Sequence, residues 1–439
     1  MSTSPAAPGG RVGGFRRMHL SELLRQPVTD REGGSIGRLS DVIVRLRGAG
    51  YPVVTGLVAT VGGRSLFVPI EQVGSLDRAE LRLTSARLDL RQFERREGEV
   101  LLRADVLGHR LIDVENAQLI RAADLELAPG GGEWLVTGVD THRRRRRLPG
   151  LGRGRRAATR PGHSFREWDK FEPLIGHSSS AVSRRPFGRI RRLRPAQIAD
   201  LLEDASREEE SEILGQVHAD PELEADVFEE LDEDLAARLL GARTDAEIAA
   251  VLSRMRADDA ADAIAELPQR RRQPVLDLLP PPQQVKVRTL MGFNPTSAGG
   301  LMAIDFVTVL VNATVADALA AVAAAGSVQP EALTSVHALD ERGRLYGVAR
   351  LVTLVQADPG SPVSDVLDAD PVRVSAATDV VDVAVLMSDY NLVTIPVVDE
   401  RRTMIGVITV DDVLEATLPE DWRRRDAAEP PDVRGGEHD

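Results

Sequence analysis

Residues 226–280 read DVFEELDEDLAARLLGARTDAEIAAVLSRMRADDAADAIAELPQRRRQPVLDLLP, and a step of twelve runs through them. Apolar pairs fall at Val227-Phe228, Leu239-Leu240, Val251-Leu252, Ala263-Ile264 and Val275-Leu276. Leu231, Met255, Leu267, Leu279 and Met291 form a third row with the same step, interrupted by Arg243. Asp232, Thr244-Asp245, Asp258-Asp259 and Pro268 stand between the pairs, where helix starts need side-chain oxygens or a preset φ. One helix of roughly ten residues per step makes a two-helix unit of roughly 24, and stacked units bury one another's apolar faces. The spacing predicts an α-solenoid over residues 191–293.

On either side the pattern changes. The N-terminal third carries short β-branched runs, Val42-Ile43-Val44, Val53-Val54, Leu57-Val58-Ala59 and Ser65 to Ile70, cut by Gly48-Ala49-Gly50 and Gly62-Gly63. A weaker echo aligns Leu23-Leu24-Arg25 with Leu101-Leu102-Arg103 and continues to Leu125, so two small, strongly bent β-barrels are expected within residues 15–140. This part resembles a PRC-barrel in tandem. Residues 141–190 read as a basic linker, and Phe165 to Gly176, richer in aromatics, as a segment that docks on a neighbouring domain. From Thr308 the chain alternates β and α in two halves. Thr314 to Leu319, Ser335 to Asp340 and Gly343 to Ala349 are echoed by Thr378 to Ala384, Thr394 to Asp399 and Met404 to Thr409. This order resembles a pair of CBS motifs, placed over residues 294–420, with a polar tail at 421–439. The fold class expected is multidomain α+β: an N-terminal β-barrel, a central α-solenoid and a C-terminal α/β CBS pair.

Composition narrows the chemistry. With 439 residues, 42% hydrophobic and 28% charged, the chain is globular, and at 3% aromatic its cores rest on aliphatic side chains. Cysteine is absent, which excludes disulfides, thiol nucleophiles and Cys-ligated metals and suits a reducing compartment. The apolar stretch 301–325 is broken by Asp305, Asn312 and Asp317, and residues 1–14 lack a signal-peptide core, so no membrane span is expected and the location expected is cytoplasmic. The net charge of −13 is uneven: residues 142–160 hold nine arginines and no acid, while residues 203–234 are crowded with carboxylates. The arginine run 143–147 reads either as a tether for nucleic acid or anionic lipid, or as a solvated spacer. Without interleaved aromatics in a net acidic chain the spacer is favoured, and nucleic acid is not an expected partner. There is no Walker loop, no His-Glu-x-x-His and no Gly-x-Ser-x-Gly. The eight histidines are scattered, His177 beside Ser178-Ser179-Ser180 having no orienting partner in sequence reach, and no catalysis is expected.

Asn294-Pro295-Thr296-Ser297-Ala298-Gly299-Gly300-Leu301-Met302, between the solenoid and the CBS pair, is similar to the junction of MgtE-type magnesium transporters. Met387 to Asn391 and the closing Gly406 to Leu414 support the resemblance, which covers residues 195–419, about half of the chain. It implies a cytosolic Mg²⁺ sensor in which hydrated cations bridge carboxylates of solenoid and CBS pair. Mg²⁺ needs only one or two carboxylates per site, so such a bridge is a weak, responsive one. The matching metal positions are Asp258 and Asp262, spaced i, i+4 at one helix start, with Asp412, Glu415 and Asn391 on the CBS side. Asp259 is expected to point elsewhere, and Asn391, a neutral amide where the family has an aspartate, to weaken its site. Helix-capping acids are the rival reading of Asp258 and Asp259.

The CBS resemblance implies a ribose site at Gly406, Thr409 and Asp412, with ATP or another adenine nucleotide as ligand. In the first half Arg350 and Thr353 stand where hydroxyl and carboxylate should be. Family transporters continue into a membrane pore, whereas this sequence ends at Asp439, so no conduction by the chain alone is expected. The function expected is Mg²⁺ sensing relayed to a protein partner, such as a membrane transporter, by a homodimer built on the CBS pair. The alternatives are a nucleotide-binding CBS regulator and a structural adaptor touching RNA or ribosome.

Overall fold

A computed structural model describes residues 17–47, 50–76, 81–84, 91–96, 98–141, 165–174, 189–326 and 328–418. The arginine run 143–147, His177, most of the basic linker and the polar tail lie outside the described residues. The chain forms two compact units, Met1–Asp232 and Glu233–Asp439.

The first unit opens with a β domain written twice. The first copy runs β1 (Met18–His19), α1 (Leu20–Leu23), β2 (Pro27–Thr29), β3 (Ser35–Arg45), β4 (Val53–Val61), β5 (Arg64–Pro69), β6 (Val73–Leu76) and β7 (Leu81–Leu83). The second runs β8 (Val100–Leu101), a π-helical turn (Leu102–Val106), β9 (Arg110–Asp113), β10 (Gln118–Arg121), β11 (Asp124–Gly130), β12 (Glu133–Asp140), β13 (Phe165–Glu167) and β14 (Phe171–Pro173). Both copies share one eleven-stranded sheet, ordered β1-β11-β12-β4-β3-β2-β7-β6 with β5, β8 and β13 attached alongside, while β10, β9 and β14 form a second sheet. Leu20, Leu23, Val42, Leu57, Leu102, Leu125, Trp168 and Phe171 fill the common core.

Hydrogen bonds show which positions of the copies correspond. Arg25 N–H donates to Leu39 O and Leu39 N–H to Gln26 O, just as Gly108 N–H donates to Ala122 O and Ala122 N–H to His109 O. Leu24-Arg25 therefore matches Leu107-Gly108, and the expected pairing of Leu23 with Leu101 is corrected. The reason is one extra residue. The first turn closes Leu24 N–H onto Leu20 O, the second Leu107 N–H onto Leu102 O, which makes a π-turn of an α-turn. Arg25 and Gly108 share a left-handed backbone, φ 73° and 82°, which only glycine adopts without steric cost.

Each copy braces the turn of the other. Asp41 on β3 accepts from the N–H groups of Arg103 (2.8 Å) and Ala104 (3.1 Å) in the second copy's turn. Asp124 on β11 accepts from the N–H of Ser21 (3.0 Å) and from its hydroxyl in the first copy's α1. The end of the domain at residue 140 is also corrected. β13 pairs with β12 and β14 with β9 because Trp168 and Phe171 are drawn into the core.

Three helices complete the unit: α2 (Pro195–Asp204), α3 (Arg207–Val217) and α4 (Pro221–Glu229). Ser206 and Glu209 form a capping box for α3, and the Asp220 side chain caps α4. Arg110 of β9 joins the β domain to them. Its Nε and Nη2 donate to Glu209 at 3.0 and 2.8 Å, and its Nη1 to Asp204 Oδ2 at 3.1 Å. Buried Arg189 donates to Phe171 O at 2.5 Å, tying the entry to α2 onto β14.

The second unit continues with α5 (Glu233–Gly241), α6 (Asp245–Leu252), α7 (Ala257–Glu266), α8 (Gln269–Leu278) and α9 (Pro281–Leu290), each starting twelve residues after the one before. α5 packs on α7, α6 on α8 and α7 on α9, the alternation of stacked helix pairs. The repeated positions are the ones that bury: Leu240, Val251-Leu252, Ile264 and Val275-Leu276, with Met255, Leu267 and Leu279 between them.

Two α/β halves follow. The first has β15 (Thr308–Leu310), α10 (Val315–Ala324), β16 (Ser335–Leu339), β17 (Leu345–Arg350) and α11 (Leu351–Gln356). The second has β18 (Val374–Ser375), α12 (Val380–Tyr390), β19 (Thr394–Val398), β20 (Met404–Thr409) and α13 (Val410–Thr417). In both, the middle strand pairs parallel with the first and antiparallel with the third, with an irregularity at the same place, Ala338/Leu339 and Val397/Val398. The Thr394 hydroxyl donates to Ser335 Oγ at 2.9 Å, joining the halves at equivalent positions.

The crossed aspartates give a direct test. Asp124→Ala strands the N–H and hydroxyl of Ser21, so the first unit should lose about 1–3 kcal/mol in urea unfolding at unchanged m-value. Asp41→Ala should cost a similar amount although it faces the other copy. An unmoved midpoint in both would show that the crossed bonds do not hold the copies together.

Candidate functional site

The chemistry-bearing residues gather where two helices of the second unit begin. α7 opens Ala257-Asp258-Asp259 after Arg256, and α13 opens Val410-Asp411-Asp412 after Thr409. Carboxylates in a first helical turn are favoured by the unpaired N–H groups there. Here two such turns face one another, and two of their acids are buried, Asp258 and Asp412.

Arg256 joins them. Its Nε donates to Asp259 Oδ2 at 2.6 Å and its Nη1 to Asp412 Oδ1 at 3.0 Å. The other Asp412 oxygen lies 2.5 Å from the fully buried Thr409 hydroxyl, which is equally close to Asp411 Oδ1. Burial pushes the Asp258 carboxyl up to about 7, the Asp412 charge adding to the rise and Arg256 opposing it. Burial likewise raises Asp412, against the Thr409 hydrogen bond and the Arg256 charge.

Of the residues singled out in the sequence, then, Asp258 and Asp412 come together. Asp262 does not join them. It is held up to about 6 by burial and by the charges of Glu233 and Glu266, so it faces carboxylates of the helical stack. Glu415 is exposed, one turn beyond Asp412 on α13. Asn391 is exposed and caps α12 in a left-handed conformation, φ 52°, a backbone shape that asparagine tolerates better than most residues. Asp259, expected to point elsewhere, belongs to the cluster through Arg256. Arg256 itself was missed, for an arginine just before a helix carries no mark of where its guanidinium reaches.

Gly406 has a packing reason of its own. A Cβ there would stand 2.5 Å from Met302 Sδ. Ala303 and Val407 exchange backbone hydrogen bonds at 2.8 and 3.0 Å, so the junction after the helical stack lies along β20. Ala298, Gly299 and Thr296 bond the backbone of Thr378, Ala376 and Val380 in the same way. Lys286 of α9 adds a second charged link, 2.7 and 2.5 Å from the two oxygens of Asp305.

The donors are hard carboxylate oxygens, a set that suits Mg²⁺, which keeps several of its waters. Among the described residues no group of three or more His, Asp or Glu side chains is arranged to hold an ion. Asp258 and Asp412, one from each helix start, are the two buried carboxylates of the cluster. Among those residues also, no helix is long and apolar enough to cross a membrane.

Residues 193–296 match the MgtE intracellular N domain and residues 363–419 the CBS domain. The magnesium transporter MgtE of Thermus thermophilus is 36% identical over 184 residues, 40% of this chain and 40% of that protein. The MgtE of Bacillus subtilis is 24% identical over 195 residues, 44% of this chain and 43% of that protein. The chain thus spans about two fifths of the length of these relatives. A crystal structure of the cytosolic domain of the Mg²⁺ channel MgtE in complex with ATP shares 29% identity and a TM-score of 0.50, covering 53% of this chain and 94% of that one. Residues 193–296 thus match an MgtE intracellular N domain and residues 363–419 a CBS domain, and about two fifths of the chain is similar to part of the MgtE magnesium transporters.

Proposed function

We propose that this chain is a cytoplasmic regulatory protein whose second unit senses Mg²⁺ at Asp258 and Asp412 and whose first unit relays that state to a partner, such as a membrane transporter. The observation that carries the reading is the burial of these two acids, one on the helical stack and one on the CBS pair, with the Asp412 charge adding to the cost of ionising Asp258. A bound divalent ion would add positive charge to a pair that Arg256 compensates only in part, since burial still holds the Asp258 carboxyl up at about 7. Glu415 lies one turn from Asp412 on α13, and Asp262 and Asn391 are left out of this reading. Within the first unit, the Arg110 bridge between β9 and the α2–α3 corner couples the β domain to its helices, which suits the output end of a relay. The apolar residues exposed on the CBS helices, Val352, Val355, Val381, Val385, Leu414 and Leu418, favour a homodimer through the CBS pair.

A second reading is favoured by Thr409 and Asp412, a hydroxyl and a carboxylate side by side at the β20–α13 corner. They are suited to the two hydroxyls of a ribose, and ATP accompanies the related cytosolic domain. Both ligands would then draw on Asp412.

Calorimetry separates them. Mg²⁺ alone should bind in the millimolar range, and Asp258→Asn and Asp412→Asn should each weaken it tenfold or more, about 1.4 kcal/mol. Heat from ATP without Mg²⁺, lost in Thr409→Ala, would favour the nucleotide reading. No heat from Mg²⁺ would end the metal reading.

The sign of the pH dependence follows from Asp258. Burial holds its carboxyl at about 7, and a carboxylate must lose its proton to ligate. Mg²⁺ affinity should therefore fall as the pH is lowered from about 8 to about 6, and binding should release protons. Asp258→Asn should flatten that slope; equal affinity at both pH values in the wild type would remove Asp258 from the site.

A further inference from the structure

We propose that Arg256 is a built-in counter-ion: it holds α7 of the helical stack against α13 of the CBS pair without a metal, and a divalent ion reaches Asp412 only by displacing it. The second clause rests on the metal reading above; the first does not.

The geometry is that of a clamp. Arg256 stands at the N-terminal boundary of α7 and bonds forward to Asp259 of its own helix, at 2.6 Å, and across to Asp412, at 3.0 Å. The bond to Asp259 fixes the plane of the guanidinium, and a planar fork held on one side loses little freedom in reaching a second carboxylate. A guanidinium stays charged at every physiological pH, and its tether keeps it at high effective concentration beside its target. The side chain of Asp412 is 5% exposed, and a carboxylate so buried needs a paired charge to remain ionised. Both its oxygens are engaged, one by Arg256 and the other by Thr409.

The second charged link has the same polarity. Lys286 of α9 bonds Asp305, which precedes β15, so at both places the helical stack gives the cation and a residue later in the chain the carboxylate. Arg256 differs from Lys286 in reaching a buried carboxylate that the ion also needs.

The test uses the full chain with EDTA, then with Mg²⁺, reading proteolysis at the 291–307 junction and the radius of gyration from solution scattering. Wild type should be compact and protected in EDTA. Arg256→Gln should open in EDTA, its junction being cut at least about tenfold faster, and Mg²⁺ should bind it more tightly than the wild type and close it again. Arg256→Lys, which keeps the charge but not the fork, should fall between. Near-ultraviolet circular dichroism distinguishes opening from unfolding; should Arg256→Gln unfold, the Lys variant carries the comparison. Protection of both variants in EDTA equal to that of the wild type would overturn the proposal. Opening of Arg256→Gln that Mg²⁺ does not reverse would uphold the clamp and remove the metal reading instead.

Discussion

A buried carboxylate that must find positive charge decides how the second unit is put together. Asp412 begins α13 under Thr409 and against Arg256, and its side chain is almost wholly withdrawn from water. Leaving such a group ionised without a partner costs several kcal/mol, more than most single packing contacts return. Arg256 meets that need from the start of α7 and so links α7 to the start of α13. Asp258 shows the converse. It shares the cluster but is imperfectly compensated, and burial with a like charge nearby pushes its carboxyl up to about 7.

The same residues explain why fold and site are hard to separate here. Gly406 reads as a ligand-binding glycine, yet its missing Cβ is filled by Met302 from the junction. Thr409 reads as a ribose contact, yet it satisfies Asp412 from within. The second half of the CBS pair, the junction and α7 thus form one packed assembly around β20 and the start of α13. A ligand arriving at Asp412 must break an internal hydrogen bond to be received, which makes binding and internal rearrangement one event.

What could be read from residues alone follows from the kind of signal each feature leaves. The step of twelve was legible because every helix of the stack must bury the same positions, so packing writes itself into the sequence at constant spacing. The tandem character of the β domain was legible too, but its register was not. One added residue turns an α-turn into a π-turn at Leu102–Val106, and aliphatic runs on both sides match several alignments equally well. The return of Phe165–Pro173 to the β domain left only a cluster of aromatics, since a strand added across a long excursion has no local mark. Asp258 and Asp412 could be named from spacing and resemblance. Arg256 could not, because what it does depends on a residue 156 positions away.

That dependence bears on how a charge cluster can respond to an ion at all. Carboxylates with no internal cation would repel until metal arrived, and the two bodies would separate widely at low ion concentration. Carboxylates fully neutralised by arginines would leave a divalent ion nothing to gain. Arg256 stands between these limits: its tethered charge meets both Asp259 and Asp412, while burial still holds the Asp258 carboxyl up at about 7.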